Sequence, residues 1–480
     1  MSQKQLKEAF ISNLNGTSLL EVSLGLPLAP LCLLCRGLLL ILYHLHNGKP
    51  LRSRTCSLLL DFAVLVSPLL FSCTVLSPII FFPPSIIAAI CAGIFAKIYS
   101  QRKHDTRAPF RQIVKDFQRT HLDSEYIPAI TALRVYVNVL TSIGILAVDF
   151  PQFPRRYAKA ETYGTGVMDL GVGAFIFGNA LVCPEVRQKS YVTQAKFSHL
   201  AKQFFSIWPL IFLGVGRLLS VKSIEYQEHT SEYGVHWNFF FTLAFVRLAA
   251  SLLLAIIPTN KSWIVAVNLA VLYQLILNIT SLKTFVLHWQ RLAKTLGLAF
   301  STPTGKAFKD WMEAVCSLLL TVLVLFVLLH LSQAHADPVS RRMANLSYCI
   351  WVVAHCLTFF VFFLVTDLVL LFTKLLVKGS SVPSCWSVAK PPNTSKKDET
   401  EAVPVRRESE LSHACLISAV NKNQLLFFLL ANVVTGIVNI MIDTIHSTTA
   451  LTLCILHLYM FFNCLIMYIL HAKNIVLKFW

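Results

Sequence analysis

Charged side chains are scarce in this sequence. Asp, Glu, Lys and Arg make up 14% of its 480 residues and hydrophobic residues make up 55%, whereas soluble globular proteins average about 25% charged residues. No separate stretch is long enough to bury a soluble core. The composition therefore excludes a soluble enzyme or binding module and predicts an integral membrane protein.

Several common catalytic motifs are also absent. The sequence contains no GxSxG, no HExxH and no Walker phosphate loop, which argues against a serine hydrolase, a metalloprotease and an ATP-driven pump. The opening residues, MSQKQLKEAF, lack the pattern of a cleaved signal peptide, so we expect the first apolar run to remain as a signal anchor.

Cysteine is present but does not form a recognisable framework. Most of the 13 cysteines lie in apolar runs, and the one CxxC pair, Cys32 and Cys35, has no second pair or histidine partner. We interpret the pair as small apolar filler, with a metal or redox site as the less favoured alternative. No disulfide framework is expected.

Twelve apolar runs are each about the length that crosses a bilayer. They predict an all-α, polytopic transmembrane helix bundle of about 12–13 membrane helices, forming a single domain over residues 1–480. The runs lie near 18–45, 56–76, 79–98, 129–149, 164–183, 204–221, 237–257, 263–284, 315–333, 348–371, 425–443 and 448–470.

The net charge of +18 is concentrated in loops after the first, third and fifth runs and in the segment 374–424. The positive-inside rule places these loops in the cytosol and the N-terminus in the lumen. A soluble module with a basic face and interleaved aromatics is absent, so the charge does not predict nucleic-acid binding. The Pro-, Ser- and Lys-rich segment 374–424 is predicted to be a flexible cytosolic loop.

The charge pattern also exposes an atypical segment. Counting crossings from the N-terminus, one more crossing or a re-entrant piece is needed between residues 285 and 314 to keep the loop 374–424 cytosolic. No membrane-length apolar run occurs there. We therefore expect this part of the chain to be unusual.

The stretch from Ala147 to Gly173 concentrates charge between two apolar runs. Prolines should end the first helix here, and Asp149, Arg155, Arg156 and Lys159 follow on a short bent connection. The cations lie on the lumenal side, against the positive-inside trend. They predict binding of a lipid or coenzyme phosphate, and charges merely snorkelling at a helix end are the alternative.

Acyl transfer to a hydroxyl needs a base for the hydroxyl proton and a donor for the carbonyl oxyanion. Asp149 and Lys159 can supply these two roles, although an ion pair that holds two helices together needs the same residues. Asp169, among glycines in the next run, is either a supporting partner of the site or an acid satisfied within the helix packing.

A second polar concentration lies between residues 208 and 242. Arg217 falls within an apolar helix, and His229, Glu232, His236 and Asn238 follow. A shared helical face including Glu232 and His236 is compatible with a metal, but hydrogen bonding to a sugar or headgroup fits better. These residues are predicted to bind substrate, and no metal site is predicted.

Two further positions complete the candidate set. Asn439 belongs to a polar stripe on a membrane helix, which faces a partner or a cavity, so it contacts either substrate or a neighbouring helix. Of the five N-glycosylation sequons, Asn15 is the one well placed for modification.

The segments VDFPQFPRRYAK, ETYGTGVMDLGVGAF, YQEHTSEYGVHWNFFFT and SRRMAN resemble the inositol acyltransferase family of GPI-anchor assembly, which comprises the phosphatidylinositol-glycan class W proteins and the fungal GPI-anchored wall transfer proteins. The resemblance implies a multi-pass enzyme of the endoplasmic reticulum membrane. It implies transfer of a fatty acyl chain, typically palmitoyl, from acyl-CoA to the inositol 2-hydroxyl of glucosaminyl-phosphatidylinositol, with acyl-CoA as co-substrate and no cofactor. It also implies Asp149 and Lys159 as the catalytic pair.

The resemblance fails in one place. Family members usually have an additional membrane helix where this chain has residues 288–314. Two alternatives therefore stay open beside the acyltransferase: a membrane transporter or lipid-handling scaffold in which the same charges bind solute, and a family member inactivated by the altered stretch.

Overall fold

The computed structural model describes residues 10, 12, 14–101, 110–119, 127–182, 196–223, 238–256, 262–279, 308–377, 379–386 and 415–477. Apart from short 3₁₀ and π turns and one isolated bridge between Thr17 and Thr165, the regular structure of these residues is α-helical. The helices are α1 (Leu19–Gly25), α2 (Leu28–Asn47), α3 (Arg54–Ser72), α4 (Phe82–Gln101), α5 (Phe110–Arg119), α6 (Pro128–Ala147), α7 (Leu170–Ala180), α8 (Lys196–Ser223), α9 (Phe239–Ile256), α10 (Ser262–Ile279), α11 (Phe308–His335), α12 (Leu346–Leu376), α13 (Leu416–Lys422), α14 (Gln424–Met441) and α15 (Thr449–Ala472).

These helices confirm the predicted all-α membrane architecture. Among the described residues, eight helical segments are long and apolar enough to cross a membrane, and four shorter apolar helices accompany them. Each segment overlaps one of the twelve predicted runs. The first run is divided in two, since α1 ends at Gly25 and α2 begins at Leu28 with Pro27 at its cap.

Helices α6 and α12 form the centre of the bundle. Pro128 occupies the first turn of α6, where its fixed φ is favourable, and Asn345 caps α12 by accepting a hydrogen bond from the Tyr348 amide at 3.1 Å. The Tyr136 and Phe363 rings stack between the two helices with centroids 5.3 Å apart. Helix α6 ends at Ala147, ahead of Pro151, as the sequence predicted.

Helix α7 approaches α12 closely at a glycine. A Cβ atom on Gly173 would lie 2.4 Å from Cγ1 of Val352, a separation that no ordinary packing allows. A side chain at this position would push α7 away from α12. The close contact therefore sets the position of Asp169, which immediately precedes α7.

Helices α10 and α11 end at the same side of the bundle. The Tyr273 hydroxyl of α10 donates to the Met343 carbonyl at 2.8 Å, and the Gln274 amide donates to Asp337 at 3.2 Å. Both acceptors lie in the loop between the end of α11 and the start of α12. The last turn of α10 and the first turn of α11 therefore lie at opposite sides of the bundle, and residues 280–307, which join them, fall outside the described residues.

The two ends of the segment 374–424 pack against the bundle. Trp386 is fully buried, with its ring centroid 4.8 Å from that of Trp311, and its carbonyl accepts a 2.8 Å hydrogen bond from the Lys374 ammonium. The Leu416 amide donates to the Asp61 carboxylate at 2.8 Å. Residues 387–414 lie outside the described residues.

A buried ion pair at this side of the bundle had no counterpart in the sequence analysis. Arg36 Nε lies 2.8 Å from Asp61 Oδ1, and both side chains are 1% exposed. A second guanidinium nitrogen of Arg36 donates to the Pro383 carbonyl at 3.1 Å. The pair thus balances its charges inside the bundle and ties the segments at Pro383 and Leu416 to α2 and α3.

Candidate active site

The connection between α6 and α7, residues 148–169, carries most of the predicted site. Asp149 follows directly after α6 and is 6% exposed. Its Oδ2 accepts a 2.7 Å hydrogen bond from the Asn439 amide of α14. The sequence predicted that Asn439 contacts either substrate or a neighbouring helix, and in the structure its amide contacts Asp149.

Arg155 holds the turn that presents Asp149. One of its guanidinium nitrogens donates to the carbonyls of Val148, Phe150 and Phe153 at 2.8, 3.0 and 3.0 Å. Burial lowers the pKa of Arg155 to about 10, and the nearby Asp149 carboxylate partly offsets this effect. Arg155 therefore stabilises the backbone conformation of the connection through hydrogen bonds to its carbonyls.

Arg156 and Tyr157 tie the same connection to α1. Arg156 Nε and the Tyr157 hydroxyl each donate to Glu21 Oε1 at 2.8 Å. Desolvation would lower the pKa of Arg156, but its hydrogen bonds and electrostatic interactions with Glu21 and Tyr157 together outweigh this effect, and the pKa is raised. The Arg156 side chain is 41% exposed, so the ion pair lies at the surface of the bundle.

Asp169 is a buried junction between this connection and the loop that joins α11 to α12. Its Oδ2 accepts the amides of Gly166 and Ala160 at 2.8 and 3.1 Å, and its Oδ1 accepts Arg341 Nε at 2.6 Å. Asp169 is fully buried. Because Ala160 is the neighbour of Lys159, this junction fixes the backbone that carries the predicted catalytic lysine.

One glycine allows the connection to fold this way. Gly164 has φ of +133°, and a Cβ atom there would lie 2.0 Å from the carbonyl oxygen of Asn15. Its amide donates to the Val339 carbonyl at 2.9 Å. The segment before α1, the connection and the loop between α11 and α12 thus meet in one polar layer.

A cavity of about 370 Å³ opens beneath this layer. Its charged lining residues are Glu21, Asp149, Lys159, Glu161, Arg217 and Arg341. The lining along α6 continues down to Val137, about 16 Å below Val148 at 1.5 Å per residue, and the deeper wall includes the apolar side chains of Ala29, Leu69 and Phe359. The site is therefore polar at one end and apolar along its depth.

A polar pair interrupts the apolar wall. His355 of α12 lines the cavity, its Nδ1 lies 3.0 Å from the Trp351 carbonyl and its Nε2 lies 3.1 Å from the Ser23 hydroxyl. A carbonyl only accepts, so Nδ1 donates to the Trp351 carbonyl, and the Ser23 hydroxyl also donates to the Leu19 carbonyl at 2.9 Å. His355, Glu21 and Arg341 were not predicted as site residues, because each is close to Asp149 and Lys159 only in the folded structure and not along the chain.

Of the remaining predicted residues, the structure describes Asn238 and Asn15. Asn238 caps α9 by accepting the amides of Phe240 and Phe241 at 3.0 and 3.2 Å, and its own amide donates to the Gly214 carbonyl at 2.7 Å. His229, Glu232 and His236 lie outside the described residues. The Asn15 side chain is exposed beside the polar layer.

These features define a polytopic α-helical membrane protein whose bundle encloses an amphipathic cavity, lined by three carboxylates and three cations among its charged residues. Comparison with known proteins then places it within a family. The GWT1 family model matches residues 3–299 and 292–470, and the chain belongs to this family.

Relatives from animals and fungi agree with this assignment. The chain is 47% identical to the glucosaminyl-phosphatidylinositol-acyltransferase PIGW of Bos taurus and 44% identical to that of Homo sapiens, in both cases over 100% of each chain. It is 33% identical to the GPI-anchored wall transfer protein 1 of Aspergillus fumigatus over 94% of each chain.

The comparisons also bear on the atypical segment. The two parts of the family match meet at residues 292–299, inside the segment 285–314. The alignment with the bovine relative is 506 positions long while this chain has 480 residues, so about 26 positions of it hold a residue only in the relative.

Proposed function

We propose that this protein transfers a fatty acyl chain, palmitoyl in the first instance, from acyl-CoA to the inositol 2-hydroxyl of glucosaminyl-phosphatidylinositol. The observation that carries the proposal is the cavity itself. Asp149 and Lys159 line its charged end, and an apolar wall continues from them for about 16 Å. That depth is close to half of the roughly 30 Å hydrocarbon core of a bilayer, the layer that one lipid chain fills.

The chemistry follows from the two residues at the charged end. Asp149 takes the proton of the inositol hydroxyl as its oxygen attacks the thioester carbonyl carbon. The Lys159 ammonium stabilises the oxyanion that forms. The carbon–sulfur bond then breaks, the ester remains, and the coenzyme A thiolate leaves with the proton that Asp149 had taken.

Cations of the cavity suit the phosphate groups of the substrates. Arg217 and Arg341 line it together with Lys159, and guanidinium groups match phosphate oxygens in geometry and charge. Arg155 and Arg156, also predicted to bind phosphate, donate to backbone carbonyls and to Glu21 and are not among the lining residues. We therefore assign the phosphate contact to the two arginines that line the cavity, Arg217 and Arg341.

The same arrangement supports a proposal for the orientation of the protein in the membrane. The polar layer lies at the side of the bundle away from the basic segments after the first and third membrane runs, which the positive-inside rule places in the cytosol. The proposal thus includes an endoplasmic reticulum membrane location, with the N-terminus and the Asp149 end of the cavity on the lumenal side.

The experiment is an acylation assay in microsomes from cells that lack their own inositol acyltransferase, supplied with labelled palmitoyl-CoA. The wild-type chain should form acylated glucosaminyl-phosphatidylinositol, and Asp149→Asn should abolish it. Asp443→Asn is the matched control, because Asp443 is an exposed acid of the same side, paired with His446, outside the cavity lining.

Two results would count against the proposal. Equal product from the Asp149→Asn and Asp443→Asn variants would remove Asp149 from catalysis. No product from a stably expressed wild-type chain would favour the inactive family member, and insertion of a relative's residues at 292–299 would then be expected to restore turnover.

A further inference from the structure

Asn439 contacts the Asp149 carboxylate from outside the cavity. Its amide donates to Asp149 Oδ2 at 2.7 Å and to the Thr435 carbonyl of its own helix at 3.1 Å. Asp149 lines the cavity and Asn439 does not. The hydrogen bond to Thr435 therefore fixes the side-chain amide of Asn439 on α14. The hydrogen bond from this amide in turn fixes the orientation of the Asp149 carboxylate.

A second contact holds the same turn from the same pair of helices. The Gln152 amide donates to the Ser447 carbonyl at 3.1 Å, and the Thr452 hydroxyl donates to the Gln152 side-chain oxygen at 2.8 Å. Ser447 lies in the turn between α14 and α15, and Thr452 lies in the first turn of α15. The α14–α15 hairpin thus forms hydrogen bonds to both ends of the turn 149–152, at Asp149 and at Gln152.

We propose that Asn439 is a positioning residue that orients the Asp149 carboxylate for proton abstraction and does not itself contact substrate. This inference rests on the proposed acyltransferase function. A neutral amide suits the role, because it fixes one carboxylate oxygen without placing a permanent positive charge on the base. Hydrogen bonds from N–H groups also favour the charged form of a carboxylate, which is the form that accepts a proton.

Other charged groups lie around Asp149, and the Asn439 variants leave them unaltered. Arg155 interacts electrostatically with Asp149 from the same connection. The cavity lining adds Glu21, Lys159, Glu161, Arg217 and Arg341, and Asp443 and His446 follow Asn439 beyond the end of α14. A change confined to Asn439 leaves all of them present, so a shift in pH dependence reports on the hydrogen bond to Asp149.

The test compares Asn439→Leu and Asn439→Asp with the wild-type chain in the microsomal acylation assay, over a range of pH and of both substrates. Loss of a charge-assisted hydrogen bond is expected to lower kcat roughly 10- to 100-fold, with KM for both substrates unchanged. The acidic limb of the pH–rate profile should move to higher pH in both variants, and further in Asn439→Asp, where a second carboxylate faces Asp149.

The matched control is Asn268→Leu. Asn268 also lies on a membrane helix and donates to the carbonyl four residues earlier, at 2.8 Å to Ile264, and it does not line the cavity. Its substitution should leave kcat and the pH profile unchanged. Thermal unfolding in detergent, measured on all variants, separates loss of folded protein from loss of turnover.

The outcomes distinguish this inference from the proposed function. A rise in KM with kcat unchanged would show that Asn439 contacts substrate, and an unchanged kcat and pH profile would show that its amide has no part in the reaction. Either result in an active chain overturns the inference alone. A folded wild-type chain that forms no product overturns the proposed function and the inference with it.

Discussion

The two ion pairs of the α6–α7 connection should differ sharply in their effect on stability. Arg341 and Asp169 are 9% and 0% exposed, whereas Arg156 and Glu21 are 41% and 21% exposed. Removing one partner of a buried pair leaves an uncompensated charge and costs about 3–5 kcal/mol. Removing one partner of an exposed pair costs about 0–1 kcal/mol.

We therefore expect Arg341→Met to lower the unfolding temperature by several degrees and Arg156→Met to change it little. The measurement is thermal unfolding in detergent, followed by the fraction of protein that remains monodisperse. Arg341→Met should also lower acylation, because the Asp169 junction fixes the backbone at Ala160, next to Lys159. Arg156→Met serves as the matched control on the same connection.

A double substitution tests the cause. In Asp169→Asn the side-chain oxygen still accepts the amides of Gly166 and Ala160, so combining it with Arg341→Met removes only the ion pair. The double variant should be more stable than Arg341→Met alone, because no charge is left buried. Equal destabilisation by Arg341→Met and Arg156→Met, or a double variant less stable than both single ones, would refute the reasoning.

Two further substitutions probe the depth of the cavity and the opposite side of the bundle. A Cβ atom on Gly144 would lie 3.8 Å from Met168, in ordinary contact, so the Gly144→Val variant should fold. It should narrow the cavity below Asp149 and shift the acyl donor preference toward shorter chains. Gly93→Val is the control, at a membrane-helix glycine whose Cβ would meet no atom within 4 Å, and it should leave the preference unchanged. Equal preferences in the two variants would rule out binding of the acyl chain in the cavity. Arg36→Met should destabilise the protein by about 3–5 kcal/mol, because it leaves Asp61 buried without its partner; an unchanged unfolding temperature would contradict this.

The membrane segments could be predicted from the sequence because each is marked by a continuous run of apolar residues. Each of the twelve runs is apolar over a membrane-crossing length, and each corresponds to a helix of the structure. The end of α6 was predictable for the same reason, since proline acts within one turn. Asp149 and Lys159, which line the cavity, could be proposed as site residues because charge on a bent connection between apolar runs is visible in the sequence.

The contacts that build the site were not predictable, because they join residues far apart in the chain. Asp169 and Arg341 are separated by 172 positions, and Asp149 and Asn439 by 290. A single sequence does not record which distant residues meet. His355 was missed for a related reason, since an isolated histidine in an apolar helix carries no signal of the cavity beside it.

The short helix α1 has a consequence for how the protein is handled. It is separated from α2 by Leu26 and Pro27, it contributes Glu21 and Val22 to the cavity wall, and Glu21 joins it to the connection that carries Asp149. A fusion partner or purification tag attached ahead of this helix is therefore expected to displace residues that line the cavity. The carboxyl end, which leaves α15 at the far side of the bundle, is the better place for one.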